Sequence, residues 1–534
     1  MRGLLSLMLA IPLAVGCGDD GGDAKPTDDI ECGEGTHLED GICVADEDPG
    51  TDADGGGDDG DGGGGDGGSH SDTGSTDTGE EPDPIPLTCF DAADPVSDSL
   101  LGGESSAGRT ETTSVDGFTD HYLYGSDDYL KIGVREEWGG SIVFYGLADG
   151  VPGMNATNTI DANDTGREVQ VALYDPDRIH QGCAHDASCA SDYGTCPSSI
   201  TYLGWNPVQG GNRCNNGSGL DTVSSPPGEL TITTQPLHWN PNWDFTSCDS
   251  GGCADPSLAT RRSDVRLTQT LRFVRTHVVE LTYKIENLAD MNHAPTIQEL
   301  PTLYAANGSG GPNLHRLIQS DGTEVSIDEG TSGDGFYYRN FSSPSEWVTL
   351  QNDALDYGVG LLQENGLHEF QAWQHTGMPF NNVRTRFEFG LPAMGTVYGR
   401  AYLLIGGLGT VSAAAEEVID SLPPFGALES ATVSGGVELV GYALDNRGVV
   451  SVDARIDEVH SLPLNYGHER SDVCLQWPGY PDCSAVGFSG LVPSEFLGGG
   501  VECSHLVEII ATDTDGHVRV IDRQLVAGLS AGLK

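Results

Sequence analysis

Short runs in which apolar and polar residues alternate recur along most of this chain, and clusters of Gly, Asn, Asp and Pro separate them. Alternation with a period of two places one set of side chains on a buried face and the other on its opposite, so these runs predict β-strands. The clearest lie at 129–134, 141–145, 230–234, 265–273 and 278–285. The last two predict a hairpin across Val274-Arg275-Thr276-His277. A helical period shows only at 412–419, and Pro423-Pro424 stops it and marks a domain boundary. Beyond that boundary the pattern is again that of strands. Residues 437–445 lead through Asn446-Arg447-Gly448 into 449–457, and 506–513 turn at Asp515-Gly516 into 517–521. The folded part therefore reads as all-β.

The residues before 88 have no such pattern. Residues 45–86 are Gly, Asp, Ser and Thr, and 18–31 are similar, so neither stretch can bury a core. Like charges should extend this tether. Its Asp-Gly repeats lack the glutamate and apolar flanks of a calcium loop, which leaves only weak, non-specific cation binding. Between the two stretches, Cys32 and Cys43 close a loop too small for a core of its own. The expected layout is 1–16 signal peptide, 17–87 tether, 88–421 large β domain and 422–534 smaller β-sandwich.

Charge narrows the function. Asp and Glu number 81 against 25 Lys and Arg, a formal net charge of −56, and between Cys17 and Leu87 the only cation is Lys25. Nucleic-acid binding, which needs a basic face, is excluded from the expected partners.

Arg2, the apolar stretch 4–15 and the run Leu13-Ala14-Val15-Gly16-Cys17 resemble a bacterial lipoprotein signal. The resemblance implies acylation of Cys17, a membrane partner through that anchor, and a place at the outer membrane or cell surface. The alternative is an ordinary secretory signal with an incidental cysteine. The apolar stretch is too short to span a bilayer.

Of 13 cysteines, a lipidated Cys17 leaves 12, an even number suited to disulfides outside the cytoplasm. Spacing suggests Cys32 with Cys43, Cys248 with Cys253, and Cys474 with Cys483. Cys183, Cys189 and Cys196 lie close together, whereas Cys89, Cys214 and Cys503 need distant partners. Cys183, His185, Cys189 and Cys196 can also be read as a zinc tetrahedron, but the spacing matches no standard finger and the compartment favours disulfide. No metal and no cofactor is expected.

Residues 425–525 resemble bacterial Ig-like modules, through Gly441-Tyr442-Ala443-Leu444-Asp445, Gly448-Val449-Val450-Ser451-Val452 and Ala511-Thr512-Asp513-Thr514-Asp515-Gly516. The insert holding Cys474 and Cys483 reads as a pinned loop on that sandwich. The resemblance implies spacing or weak surface binding. Residues 120–405 are similar to the galactose-mutarotase-like super-sandwich, a two-sheet β fold of carbohydrate-active proteins. Trp138-Gly139-Gly140, Asn163-Asp164-Thr165-Gly166-Arg167-Glu168-Val169-Gln170, Asn206-Pro207-Val208, Gln298-Glu299-Leu300-Pro301 and Ser345-Glu346-Trp347 carry it. That family pairs a glutamate base with a histidine acid. Neither position matches this chain, so mutarotase activity is not implied.

Asp164-Thr165-Gly166 is the aspartic-protease triplet, but Asn163 precedes it, Arg167 follows it and the folded region has no second copy. Asp164, Arg167, Glu168 and Gln170 read better as a polar cluster suited to sugar hydroxyls or uronates, or else as a turn and ion pair fixing a strand end. Glu299, Asp164 and His293 are the acid–base candidates, with Glu299 on a strand edge as the plain alternative. Trp138 and Trp373 are candidate stacking platforms, although a single tryptophan is more often core. Trp205, Trp239, Trp243 and Trp347 share that reading, and His375 is a further candidate. The expected function is carbohydrate binding, with a glycan-active enzyme or a non-catalytic adhesive protein as alternatives.

Overall fold

The computed structural model describes residues 36–39, 42–45, 89–102, 108–149, 157–162, 168–174, 208, 216–237, 260, 262–307, 312–326, 336–366, 368–375, 380–501 and 503–529. Thr36–Glu39 and Ile42–Ala45 form an antiparallel hairpin in a unit of their own. All described residues from Cys89 onwards belong to one other compact unit, which is almost wholly β. Cys17, Cys32, Cys248 and Cys253 lie outside the described residues, as do Cys183, His185, Cys189, Cys196 and Cys214.

Two nine-stranded sheets dominate that unit. Edge to edge, the first runs Glu324–Val325, Arg316–Gln319, Trp347–Gln351, Gly358–Gln363, Thr396–Ile405, Val278–Asn287, Val265–Arg275, Leu230–Thr234 and Leu220–Ser224. The second runs Phe336–Phe341, Glu369–His375, Phe380–Leu391, His293–Ala306, Val169–Ala172, Ile142–Leu147, Leu130–Arg135, Phe118–Tyr124 and Thr110–Val115. Every pairing is antiparallel. The expected hairpin is present, with Val265 opposite Asn287 and a bulge at Phe273–Arg275.

Alternation builds the core. Leu267, Leu271, Phe273, Leu281, Tyr283 and Ile285 of the first sheet join Val169, Val171, Leu303, Val383, Phe387 and Phe370 of the second in one buried cluster. Full burial of one such side chain contributes about 1.5–3 kcal/mol.

The predicted helix runs Leu408–Ser421, longer than its periodic stretch because Gly407 precedes it and Pro423 ends it. Val411, Ala415 and Val418, spaced by four and three, form its buried stripe. Two four-stranded sheets follow. Phe425–Val433, Gly436–Leu444, Gly487–Pro493 and Asn465–His468 make one; His460–Pro463, Val449–Ile456, Ser504–Asp513 and Val518–Ala527 make the other. Leu439, Ala454, Phe488, Val507 and Ile509 are in the core between them.

The large sandwich and the smaller one share a buried cluster that includes Tyr402, Leu404, Val411, Phe425, Trp477 and Tyr480. Trp477 and Tyr480 come from the insert, which the Cys474–Cys483 disulfide closes as expected. Cys89 and Cys503, each lacking a near partner in sequence, bond to each other and tie the start of this unit to the smaller sandwich. Glu364 is the polar centre of the junction. It accepts hydrogen bonds from Arg400 (3.3 Å), Tyr402 (2.9 Å) and Tyr480. Beside it the Gly366 N–H donates to the Gly479 carbonyl at 2.9 Å. A Cβ on Gly366 would lie 2.4 Å from that oxygen, so the close approach requires glycine.

Asp445 caps the turn between the two smaller sheets. Its Oδ1 accepts the N–H groups of Arg447 (2.7 Å) and Gly448 (3.0 Å). Burial raises its pKa to about 6; the two N–H groups oppose the rise and the charge of Asp513 adds to it. The folded state thus holds this proton more tightly than the unfolded chain. The resulting stability is complete below the ordinary aspartate range and is lost as pH rises through about 6. Asp445→Asn should therefore gain stability relative to wild type as pH rises from 4 to 7, measured by chemical denaturation across that window. Parallel pH profiles for the two proteins would contradict this reading.

Candidate functional site

The strands that send Val169, Val171, Leu303, Val383, Phe387, Phe370 and Ala372 into the core send their alternate residues to the other face of the second sheet. Strand register sorts those residues into three rows. Ala172, Glu299, Arg386 and Glu369 are cross-strand neighbours in the first. Gln170, Thr302, Arg384, Gln371 and Asn340 make the second. Tyr304, Asn382, Trp373 and Tyr338 make the third, and the Tyr304 N–H donates to the Glu168 carbonyl beside it.

A bulge makes the first two rows possible. Glu299 and Thr302 are three residues apart, an odd step that in a regular strand would put them on opposite faces. The register shift between them inserts one residue, so both lie on the outer face. The Thr302 hydroxyl then donates to Glu299 at 2.5 Å. Glu299 also accepts from the Tyr174 hydroxyl at 2.8 Å and from Arg384. Arg384 Nε donates to Gln371 Oε1 at 2.8 Å, and Gln371 Nε2 donates to Asn340 at 2.7 Å. The result is a continuous hydrogen-bonded line from Tyr174 to Asn340, with Arg386 paired to Glu369 at 2.5 Å alongside.

The third row is aromatic and amide. Tyr304 and Trp373 pack edge to face with centroids 5.7 Å apart, and Tyr338 lies 6.5 Å from Trp373. Asn382 sits between Tyr304 and Trp373 in register and is fully buried. Its Oδ1 and Gln170 Oε1, both inaccessible to water, accept no hydrogen bond from any described residue. A buried acceptor without a donor costs about 1–3 kcal/mol, which a donor brought by a ligand would recover; Ser141, Tyr283, Gln351 and Gln363 carry such atoms away from this face.

This face brings together Glu299, Glu168, Gln170 and Trp373 of the sequence candidates. Asp164 and Arg167 lie outside the described residues, as do Trp205, Trp239 and Trp243. His293 is six residues before Glu299 on the same strand, roughly 20 Å away at ~3.3 Å per residue. It faces Asp264 instead, with Nε2 3.5 Å from that carboxylate, so it does not form a pair with Glu299. Trp138 packs with Val143 and Val208, with Phe118 at 5.2 Å and the Arg135 guanidinium at 4.3 Å from its ring, outside the three rows. Trp347 is buried in the junction cluster. His375 ends the strand that carries Trp373.

Thr302, Tyr304, Gln371, Asn382 and Arg384 were not singled out from the sequence. Alternation could have found most of them. Asn382, Arg384, Arg386 and Glu388 are the polar members of an apolar–polar run, and Glu369, Gln371 and Trp373 the outward members of another. Among the described residues, no group of three or more His, Cys, Asp or Glu side chains is placed to hold a metal.

No protein-family profile and no curated protein matches this chain. Solved structures similar to it include a galactose mutarotase-like protein from Clostridium acetobutylicum, at 8% identity and a TM-score of 0.35, covering 57% of this chain and 99% of that one. A candidate aldose 1-epimerase from Klebsiella pneumoniae is similar at 12% identity and a TM-score of 0.31, covering 59% of this chain and 86% of that one. Another from Escherichia coli K12 is similar at 8% identity and a TM-score of 0.32, covering 53% and 97%. No residue role is taken from these likenesses.

Proposed function

We propose that this protein binds carbohydrate on the outer face of its second nine-stranded sheet. One observation carries the reading. Gln170 and Asn382 hold buried carbonyl oxygens without donors among the described residues, on the same face as the packed aromatic row of Tyr304, Trp373 and Tyr338. A sugar ring that displaces the groups covering these oxygens supplies what is missing. Its hydroxyls donate to such oxygens and accept from amides and guanidinium groups, while its C–H face rests on an aromatic ring. Arg384, fixed between Glu299 and Gln371, is already oriented. Binding is favoured over turnover because Glu299 is engaged by Arg384, Thr302 and Tyr174 and has no histidine partner at His293.

In this reading the protein is held at the bacterial outer membrane or cell surface by acyl chains on Cys17, beyond a long acidic tether. The Leu13–Cys17 run supports the anchor, and the Cys89–Cys503 and Cys474–Cys483 disulfides support an oxidising compartment. The C-terminal sandwich acts as an Ig-like module.

A glycan array probed with the mature protein should yield a saccharide whose affinity falls roughly tenfold in both Asn382→Ala and Gln170→Ala, the loss of about one hydrogen bond each. Absence of binding across a broad panel, or variants that bind unchanged, would refute the site. Mass spectrometry of the mature protein should find an acylated N-terminal Cys17; an unmodified terminus would rule out the anchor.

A further inference from the structure

The first nine-stranded sheet also has an outer face, and the smaller sandwich stands over part of it. Between them lies a cleft of about 660 Å³, a size that accommodates a mono- or disaccharide. Its floor again follows strand register. Arg400, Thr282 and Thr270 are cross-strand neighbours in one row, and Tyr398, Lys284 and Thr268 in the next. Arg519 of the smaller sandwich forms part of the wall.

The cations here are not equivalent. Arg272 is saturated by Glu229 (2.7 Å) and Glu280 (3.4 Å), Arg523 is paired with Glu508 (2.9 Å), and Lys284, half-exposed, is paired with Glu286 farther along its strand (3.0 Å). Arg519 has no carboxylate within ion-pairing distance among the described residues. Its Nη2 donates only to the carbonyls of Ser97 (2.5 Å) and Ser99 (3.2 Å). Those two bonds orient the guanidinium and leave its remaining N–H groups to the cleft. Arg400 holds Glu364 with Nη1, but its buried Nε–H meets no acceptor among the described residues; neither does the Thr282 hydroxyl beside it in register. Arg400 is held in place by Phe425 and Trp477, whose ring centroids lie 4.4 and 5.0 Å away. Burial and the neighbouring charge of Arg400 both lower the pKa of Arg519, although Glu280, Glu364 and Asp98 act in the opposite direction. Tyr398, half-buried and stacked on Trp477 at 4.7 Å, adds an aromatic surface.

Unmatched guanidinium donors beside rows of threonine hydroxyls and a tyrosine ring describe a site for an anion that also carries hydroxyls. We propose that this cleft binds a carboxylated sugar, a uronic acid, with its carboxylate at Arg519 and Arg400 and its hydroxyls toward Thr282, Thr270 and Lys284. Two acids line the cleft: Asp98, exposed on its rim, acts on Arg519, whereas Asp522 accepts the backbone N–H groups of Leu428 and Arg523 (2.7 Å each). The site shares no residue with the rows of the second sheet and stands or falls separately from them.

Titration of the full-length protein with sodium glucuronate, glucose and glucose 6-phosphate, followed by calorimetry or ligand-observed NMR, tests this. Glucuronate should bind and glucose should bind at least tenfold more weakly. Arg519→Met should weaken glucuronate tenfold or more, Lys284→Met severalfold, and Asp98→Asn should tighten it. Lys284 makes no contact that holds the two sandwiches together, so its variant reads the site even where Arg519→Met disturbs the Ser97–Ser99 segment. The proposal is overturned by any of three results: no glucuronate binding, preference for glucose or glucose 6-phosphate, or glucuronate binding that both Arg519→Met and Lys284→Met leave unchanged.

Discussion

A β-strand presents two faces, and in this protein the central strands of both large sheets are buried on both. The inner faces meet in an apolar core, where alternation is enough. The outer faces carry carboxylates, amides and guanidinium groups that are also withdrawn from water, and every such group needs a partner. Register supplies most of them. Glu299, Arg384, Gln371 and Asn340 satisfy one another across neighbouring strands of the second sheet. Arg272, Glu229 and Glu280 do so on the first. Among the polar atoms that register leaves over in the described residues are those of Gln170, Asn382, Thr282 and Arg400 at the two proposed sites; Ser141, His277, Tyr283, Gln351, Gln363 and Asp445 carry others elsewhere.

The junction between the sandwiches follows the same rule with one carboxylate. Glu364 is buried where an unpaired charge would be costly, and it takes donors from Arg400 and Tyr402 on the large sandwich and Tyr480 on the small one. The tight Gly366–Gly479 contact and the disulfide-closed insert bring Tyr480 to that position. The cleft beside it is thereby given fixed walls, since Arg400 serves both the junction and the cleft floor.

Much of this architecture was legible. Period-two runs mark the strands, the double proline ends the helix, and nine-residue spacing pairs Cys474 with Cys483. The site was legible only in part. Glu299, Trp373 and the cluster holding Glu168 and Gln170 stand out separately in the sequence, but what joins them is register across five strands, which no local pattern reveals. The bulge at Glu299–Thr302 reverses the facing of everything after it, so simple alternation through Pro301 would put Thr302 on the wrong side. His293 misled for a related reason: proximity along an extended strand is distance in space. Cys89 and Cys503 show the opposite case, partners 414 residues apart that become neighbours only through the packing of strands between them.

The central claim is that the unmatched acceptors of the second sheet are completed by a sugar. A crystal structure of the protein soaked with a saccharide that binds it addresses this most directly. The account predicts a ring beside Trp373, with hydroxyls within hydrogen-bonding distance of Asn382 Oδ1 and Gln170 Oε1. A saccharide bound elsewhere, with both oxygens still closed off, would contradict it.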